Sequence, residues 1–209
     1  RAGHRRELEV DPNKRNPADF ALWKRAGANR LMRWPSPWGE GFPGWHIECS
    51  AMALKHLGES IDVHTGGVDL IFPHHEDEIA QSEGAVGHRV VAIWAHGGHL
   101  RLSAQKMAKS SGNVITIADL VAQGYDPLAY RFLTFRARYR SEMDFSPDAM
   151  ADADAQVRRL RRRMADWGEP SELGASAAGF DRRFREAVAD DLDLPRALVI
   201  VNETVGDGV

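Results

Sequence analysis

The sequence predicts an α/β fold in which helices pack against a parallel sheet. Two apolar stretches rich in β-branched residues, 61–64 and 90–94, have the length of buried strands. They belong to two successive strand-then-helix units, the pattern that is typical of a parallel sheet. Beyond Gly112 the apolar spacing is helical. We therefore expect a sheet domain followed by helices.

The region before the first strand combines turns with one longer helix. Turn-forming residues recur across 11–37, and they enclose a short stretch with helical character at 18–25. The stretch 44–57 has apolar residues at helical spacing, and it ends at Gly58, a common helix stop. A short helix and then a full helix are expected here.

The segment after the first strand has the features of a ligand site. The strand at 61–64 runs into Gly66 and Gly67, and a second helix is expected to begin after Pro73. Open α/β sheets bind ligands where a strand ends in glycines ahead of a helix. The second strand, 90–94, leads to another polar, glycine-containing turn.

Beyond Gly112 the sequence is expected to be helical. We expect helices at 117–123, at 126–138 and from Ser146 onward, where serine is a favoured cap and Pro147 a favoured first helical residue. A further helix should follow 180, after a linker of small residues.

Composition narrows the class of protein. The chain has 209 residues, and 27 Lys and Arg against 30 Asp and Glu give a net charge of -3. This balance provides no general attraction to nucleic acid or membrane, so any polyanion site must be local. The single cysteine excludes an internal disulfide, which favours a reducing, cytoplasmic setting. The chain begins without methionine and ends within a helical pattern, as expected for a fragment.

Cys49, His74 and Glu78 are the candidate metal ligands. His74 and Glu78 are four residues apart, so one helix would present both on the same face. Zinc accepts sulfur, nitrogen and oxygen donors together, and three protein ligands with an open position are typical of a catalytic zinc site.

Simpler interpretations of these residues exist. A lone cysteine is more often a packed apolar residue than a ligand, and His-x-x-x-Glu pairs occur by chance on helix surfaces. A protease motif of the His-Glu-x-x-His type is excluded, because Ile79 stands where the second histidine is required.

A second motif lies at 106–113. Lys106 and Lys109 are three residues apart among serines, glycine and asparagine, and they could present two ammonium groups to one phosphate chain. The alternative is a solvated basic loop without a ligand.

These motifs together resemble cysteinyl-tRNA synthetases. The segment 106–110 is similar to the Lys-Met-Ser-Lys-Ser signature of class I aminoacyl-tRNA synthetases, with Ala108 at the middle serine. The segments 44–52, 66–70 and 72–83 resemble the cysteine-specific family, in the same order along the chain. The resemblance extends from about Lys14 to Phe145.

The resemblance implies a fold and a set of ligands. It places 1–145 in the second half of a class I Rossmann-like catalytic domain and 146–209 at the start of an all-α tRNA-binding domain. In that family one zinc ion selects the cysteine thiol, and Cys49, His74 and Glu78 match three of its four ligands. The fourth, a cysteine, and a His-Ile-Gly-His signature belong to a part of the pattern that precedes Arg1.

The resemblance also implies the reaction. Cysteine and ATP, with Mg2+, would form cysteinyl-adenylate, and Lys106 and Lys109 would bind the ATP phosphates. The cysteinyl group would pass to the 3′ end of tRNA(Cys). Trp45, His64 and Asp69 are the expected contacts of the substrate amino acid, and the arginines of 158–163 are expected near tRNA. A monomer without a membrane segment is expected.

Two other functions fit part of this pattern. A ligase that joins cysteine to an amino-sugar inositol in mycothiol synthesis uses the same adenylation without tRNA. A zinc- or nucleotide-binding module without catalysis is the other. The segment 78–82 favours the synthetase.

Overall fold

The computed structural model of the chain describes residues 14–102, 105–106, 114–165 and 175–207. They divide into two compact units, 1–95 and 96–209. Each unit is described by itself below. Both strands and helices are present, and the second unit contains a parallel strand pair, so the α/β prediction is confirmed.

From residue 14 onward, where the structure describes it, the first unit consists of short strands and two α-helices: β1 (Trp23–Arg25), β2 (Gly41–Pro43), α1 (Trp45–Leu57), β3 (Ile61–Gly67), α2 (Glu76–Val86) and most of β4 (Val91–Gly97). Strands β1 and β2 pair antiparallel. Strands β3 and β4 form a separate two-stranded sheet, in which the Ile61 N–H donates to the Val90 carbonyl at 2.8 Å.

Helix α1 has the ends that the sequence predicts. Gly44 is its N-cap, and Gly58 follows its last residue with a φ of 89°, a conformation that glycine adopts without strain. The helix packs against α2, and both rest on a small core of Ile61, Val90 and Val91. This packing sets α1 and α2 side by side next to the sheet.

The chain between β3 and α2 turns twice before the regular helix begins. A short 3-10 turn, Val68–Leu70, is followed by one π-helical turn, Ile71–His75, and α2 begins at Glu76. The helix expected directly after Pro73 thus starts with a wider turn. This region is well packed around His74 and His75, which are both buried.

The expectation of a helical piece at 18–25 was wrong. Its last residues form strand β1, whose Lys24 pairs with Phe42 of β2. The partner strand is distant in sequence, so local spacing did not indicate this pairing.

The described residues of the second unit form a small sheet and five helices: β5 (Leu100–Leu102), β6 (Gln105–Lys106), α3 (Ile117–Ala122), α4 (Pro127–Thr134), β7 (Met143–Phe145), α5 (Pro147–Ala165), α6 (Ala175–Ala189) and α7 (Leu194–Asp207). Strand β5 lies between β6, to which it is antiparallel, and β7, to which it is parallel. Ser146 caps α5 as predicted, because its Oγ accepts the Ala149 N–H at 3.1 Å.

The core of the second unit lies between α4, α5 and the sheet. Its buried members are Leu120, Ala129, Phe132, Leu133, Phe145, Met150, Ala153 and Val157. Since Phe145 and Met150 belong to the same cluster, β7 and α5 pack together. The domain boundary expected between 145 and 146 stays a prediction. No helix in the described part of the chain has the length and apolar character of a membrane span.

Candidate metal centre

Three of the sequence-predicted ligands lie together in the first unit. Cys49 is on α1, Glu78 is in the first turn of α2, and His74 is in the π-helical turn just before α2. One donor atom of each lies within 4.8 Å of the others. The packing of α1 against α2 therefore brings a sulfur, a nitrogen and an oxygen donor to one point.

Glu78 is the most unusual member of this group. Its side chain is only 4% exposed, and its Oε1 lies 2.5 Å from His74 Nε2. Even so, Oε1 has no hydrogen-bond partner among the described residues, because the contact lacks hydrogen-bond geometry. Burial raises the pKa of Glu78 to about 7. A buried carboxylate oxygen that no donor satisfies is expected where a cation binds.

The pKa values of the other two donors, His74 and Cys49, are also shifted. Burial, followed by the positive charge that His46 and His64 can carry, lowers the pKa of His74, which keeps the imidazole neutral and able to ligate. Burial raises the pKa of the Cys49 thiol, and the carboxylates of Glu78 and Glu48 add to this effect. Sulfur, neutral imidazole and carboxylate form a donor set that fits zinc.

A hydrogen bond between the two helices supports this arrangement. Ser50, next to Cys49 and almost fully buried, donates from Oγ to Gln81 Oε1 at 2.7 Å. Gln81 is three residues after Glu78 on α2. The bond therefore links the turn of α1 that carries the thiol to the turn of α2 that carries the carboxylate.

A second group of possible ligands shares Glu78. Donor atoms of His64, His75 and Glu78 also lie within 4.8 Å of one another, and His64 Nε2 is 3.5 Å from Glu78 Oε2. The His64 ring stacks on Trp94 with 4.4 Å between centroids. A Cβ at Gly66 would lie 2.5 Å from the His75 ring, so glycine there allows this imidazole to approach β3.

The predicted substrate contacts lie at different distances from this centre. Trp45 begins α1, is 59% exposed, and stacks on His74 with 4.5 Å between centroids. His64 points its Nε2 at Glu78, as described above. Asp69 is exposed in the 3-10 turn, and its Oδ1 is 2.4 Å from the position of a Cβ on Gly67. Trp45, on α1, and His64, on β3, thus both lie beside the donor cluster.

The predicted phosphate-binding lysines belong to the second unit. The backbone of Lys106 is in β6, paired with Arg101. Its side chain and the whole of Lys109 lie outside the described residues. Their role stays a prediction.

Two further residues lie near the candidate metal centre, His46 and Asp77, and of these the sequence indicated a supporting or capping role for Asp77 alone. His46 Nδ1 lies 2.7 Å from His74 Nδ1, and His46 Nε2 lies 3.4 Å from Asp77 Oδ2. His46 precedes Cys49 by three residues on the same helix, and Asp77 adjoins Glu78. Helical spacing from Cys49 is the one signal that could have identified His46.

The arginines at 158–163 differ from one another. Arg158 donates from Nε to Asp154 Oδ2 at 2.6 Å, and Arg161 forms an ion pair with Asp126. Arg159, Arg162 and Arg163 are exposed on α5. Part of this basic run therefore serves the packing of α5.

Comparison with known proteins identifies the family. A family model described as the catalytic domain of tRNA synthetases class I (C) matches residues 2–155. The chain belongs to this family. The class I (C) match covers all of the first unit's described residues and extends into α5 of the second.

Curated relatives agree with the class I (C) assignment. The chain is 47% identical over 207 residues to a cysteine--tRNA ligase of Thermus thermophilus, covering 95% of the chain and 42% of that protein. It is 46% identical to the cysteine--tRNA ligase of Alkalilimnicola ehrlichii, covering 97% of the chain and 43% of that protein. The Deinococcus radiodurans cysteine--tRNA ligase is 45% identical, with 95% and 41% covered. The chain thus spans less than half the length of these relatives.

A solved structure supports the fold. The chain resembles a LeuRS of Agrobacterium radiobacter K84, crystallised as a ternary complex with tRNA and LeuAMS, with a TM-score of 0.59. Identity is 16%, and the match covers 84% of this chain and 29% of that one. At this identity the likeness concerns the class I fold alone.

Proposed function

We propose that the natural polypeptide containing this chain is a cysteine--tRNA ligase. It activates cysteine with ATP and transfers the cysteinyl group to the 3′ end of tRNA(Cys). The observation that carries the proposal is the convergence of Cys49, His74 and Glu78 donors within 4.8 Å, in a chain 43–47% identical to cysteine--tRNA ligases. The relatives indicate the reaction, and the donor cluster supports cysteine as the amino acid that is activated.

In this proposal Cys49, His74 and Glu78 hold one Zn2+. Bound there, zinc supplies a Lewis acid that prefers thiolate sulfur to a neutral hydroxyl. Cysteine and serine differ by one atom, and shape alone rejects such an analogue weakly. A site that requires a specific bond discriminates by roughly 10⁴ to 10⁵. The burial of Glu78, without a hydrogen-bond donor for Oε1 among the described residues, supports its role as a ligand.

The residues around the donors would shape the amino-acid pocket. Trp45 stacks on His74 and leaves much of its indole exposed, so it can cover a small side chain bound beside the cluster. His64 would face the substrate carboxylate, and Asp69 its amine. The contact of His64 with the buried Glu78 carboxylate would hold the His64 ring in place, so that it can orient a charged group of the substrate.

The signature loop, 106–110, would bind the phosphates of ATP. Lys106 and Lys109 would bind the ATP phosphates with Mg2+ and stabilise the charge that grows on departing pyrophosphate. No protein nucleophile is required, because the cysteine carboxylate attacks the α-phosphate directly. The support here is the sequence signature and the class I family match.

The proposed partners follow from the same assignment. Exposed Arg159, Arg162 and Arg163 would contact the tRNA backbone, since their neighbours Arg158 and Arg161 are engaged with carboxylates of the fold. The single cysteine supports a reducing compartment, so the enzyme is proposed to act in the cytoplasm, as a monomer.

The experiment is cysteine-dependent ATP–pyrophosphate exchange by the natural polypeptide, followed by charging of tRNA(Cys). Exchange that requires cysteine and charging of tRNA support the proposal. Exchange with transfer only to an amino-sugar inositol would indicate the mycothiol-type ligase, and no exchange would indicate a binding module. The 209-residue chain alone is expected to give no exchange.

A matched substitution tests the zinc ligand. Cys49→Ser in the natural polypeptide should lower the zinc content, because a neutral hydroxyl replaces the thiolate. Ser110 is not one of the proposed zinc ligands, so Ser110→Ala serves as a control for the zinc content. Unchanged zinc in Cys49→Ser would remove Cys49 from the ligand set.

A further inference from the structure

A chain of three side chains leads away from the metal centre. His74 uses its two ring nitrogens in different directions: Nε2 lies 2.5 Å from Glu78 Oε1, and Nδ1 lies 2.7 Å from His46 Nδ1. His46 in turn places Nε2 3.4 Å from Asp77 Oδ2. All three side chains are mostly buried, with exposures of 7% for His74, 18% for His46 and 13% for Asp77.

Only one nitrogen of a close Nδ1 pair can carry the shared hydrogen. A neutral imidazole has one N–H and one acceptor nitrogen. If the carboxylate of Asp77 accepts the N–H of His46 Nε2, then His46 Nδ1 is an acceptor. His74 must then donate from Nδ1, which leaves its Nε2 lone pair directed at the Cys49 and Glu78 donors.

The contact with Glu78 argues against the reverse arrangement. If His46 donated from Nδ1, neutral His74 would carry its hydrogen on Nε2, close to Glu78 Oε1. A hydrogen on Nε2 would leave that nitrogen without the lone pair that the proposed zinc site requires. The 2.5 Å separation of Nε2 and Oε1, without hydrogen-bond geometry, fits two ligand atoms that face one point.

We propose that Asp77, acting through His46, fixes His74 as the Nδ1–H tautomer and so positions its Nε2 for the metal. Both are positioning residues, since neither places an atom in the donor cluster. The inference rests on the proposed zinc site and adds two residues to it. Ligating histidines commonly donate their second ring N–H to a carboxylate, a carbonyl or water, and loss of that direct partner typically weakens metal binding about 10–100-fold. Here the acceptor nitrogen of His46 would take that place, with Asp77 behind it.

The positions of these residues in the fold suit the role. His46 is on α1, one turn before Cys49, whereas Asp77 is on α2 beside Glu78. The contact between His46 and Asp77 therefore links the same two helices that carry the thiol and the carboxylate. Asp77 orients the imidazole of His46, and His46 in turn orients the ligating ring of His74.

The test compares zinc affinities of variants of the natural polypeptide, measured by competition with a chromophoric chelator. Asp77→Leu should weaken Zn2+ binding roughly 10–100-fold. Asp77→Asn should remain close to the unsubstituted protein, because its amide oxygen still accepts from His46 Nε2–H. Glu76→Leu is the matched control: it removes a carboxylate from the adjacent, exposed position of α2 and should leave the affinity unchanged.

A second pair of variants addresses the other member of the relay. His46→Asn places an amide oxygen near the position of Nδ1 and should retain more affinity than His46→Leu. This pair decides the question if Asp77→Leu fails to fold. Equal affinities in His46→Asn and His46→Leu, or in Asp77→Leu and Glu76→Leu, would overturn the inference.

Tautomers can be observed directly by long-range ¹H–¹⁵N spectra of the histidine rings. The zinc-loaded protein should show hydrogen on Nδ1 of His74 and on Nε2 of His46. Hydrogen on Nδ1 of His46 would refute the relay whatever the affinities.

The two levels of the proposal fail differently. If Cys49→Ser leaves zinc binding intact, the zinc site itself is wrong. If Cys49→Ser loses zinc while Asp77→Leu binds it as tightly as Glu76→Leu, the site stands and the positioning role of Asp77 is wrong.

Discussion

Two buried carboxylates, one in each unit, are held in opposite ways. Asp154 on α5 accepts hydrogen bonds from Arg158 Nε at 2.6 Å and from the Asp126 N–H at 2.9 Å. The Arg158 hydrogen bond is the main cause of its lowered pKa. Glu78 on α2 has an oxygen without a hydrogen bond among the described residues, and burial raises its pKa to about 7.

The difference separates a group that serves the fold from one whose environment supports the proposed metal site. Around Asp154 the surrounding residues stabilise the charged carboxylate, so it contributes to packing of α4 and α5. Around Glu78 the surroundings disfavour charge, and no described donor compensates. Groups with this kind of perturbed pKa concentrate at functional sites. A cation bound at Glu78 would offset the cost of burying its charge.

The largest expected effect tests this contrast at Glu78 itself. Glu78→Gln should reduce zinc affinity by more than the roughly 10–100-fold that a supporting partner is worth. Without metal, its melting temperature should be equal to or above that of the unsubstituted protein, because a neutral amide replaces a buried charge. Chelator competition and thermal unfolding measure the two quantities.

Glu76→Gln on the exposed face of α2 is the control for Glu78→Gln and should change neither quantity. A metal-free Glu78→Gln protein that unfolds at markedly lower temperature would mean that the carboxylate serves the fold after all.

The opposite behaviour is expected at Asp154. Asp154→Ala should lower the free energy of unfolding by about 1–3 kcal/mol, because the Asp126 N–H loses its acceptor and Arg158 its partner. Zinc affinity should not change. Urea unfolding measures the first, and Asp148→Ala at the exposed start of α5 is the comparison. Equal stabilities of the two variants would break the contrast between the carboxylates.

Two glycines of the first unit allow a smaller test. Gly66→Ala places a Cβ 2.5 Å from the His75 ring and should destabilise the protein by about 1–3 kcal/mol through overpacking. Gly84→Ala, inside α2 with nothing within 4 Å of the new Cβ, should stabilise it by about 0.4–1 kcal/mol. Thermal unfolding distinguishes the signs. A stabilising Gly66→Ala would show that His75 does not need this close approach.

The smallest expected effect is a pH dependence in the second unit. Hydrogen bonds from Arg140 and Tyr139 lower the pKa of Asp191 to about 2. A depressed carboxyl pKa contributes stability that is complete above the unfolded value of about 4 and is lost as the pH falls toward 2.

Asp191→Asn should therefore lower the melting temperature at pH 7, and the difference should disappear near pH 2. Asparagine suits the substitution because Asp191 has a φ of 52°, which asparagine tolerates. A difference in melting temperature that stays constant with pH would show that the ion pair contributes nothing.

Local patterns indicated much of this structure. Gly44 and Gly58 delimit α1, and Ser146 caps α5, because caps depend on residues adjacent in sequence. Strand β1 was missed because its pairing with β2 joins distant residues. The sequence did not predict which helices pack together, because those contacts also join distant residues.

The metal centre shows the same limit. The spacing of His74 and Glu78 placed them on one face, and the single cysteine, Cys49, was the candidate sulfur donor. The family resemblance then supported all three. The contact of His46 with His74 spans 28 residues and depends on how α1 packs on α2, which periodicity does not specify. Sequence spacing therefore predicted the donors but not the contact between His46 and His74.

The hydrogen bond from Ser50 to Gln81 has a consequence for ion selection. It holds the separation of α1 and α2 without using a donor atom, so the space between the Cys49 thiol and the Glu78 carboxylate is set from outside the coordination sphere. If Cys49, His74 and Glu78 hold Zn2+ as proposed, a wider cation such as Cd2+ would be expected to lengthen this bond. Replacing Ser50 thus offers a route to altering the radius that the centre accepts, with every coordinating atom left in place.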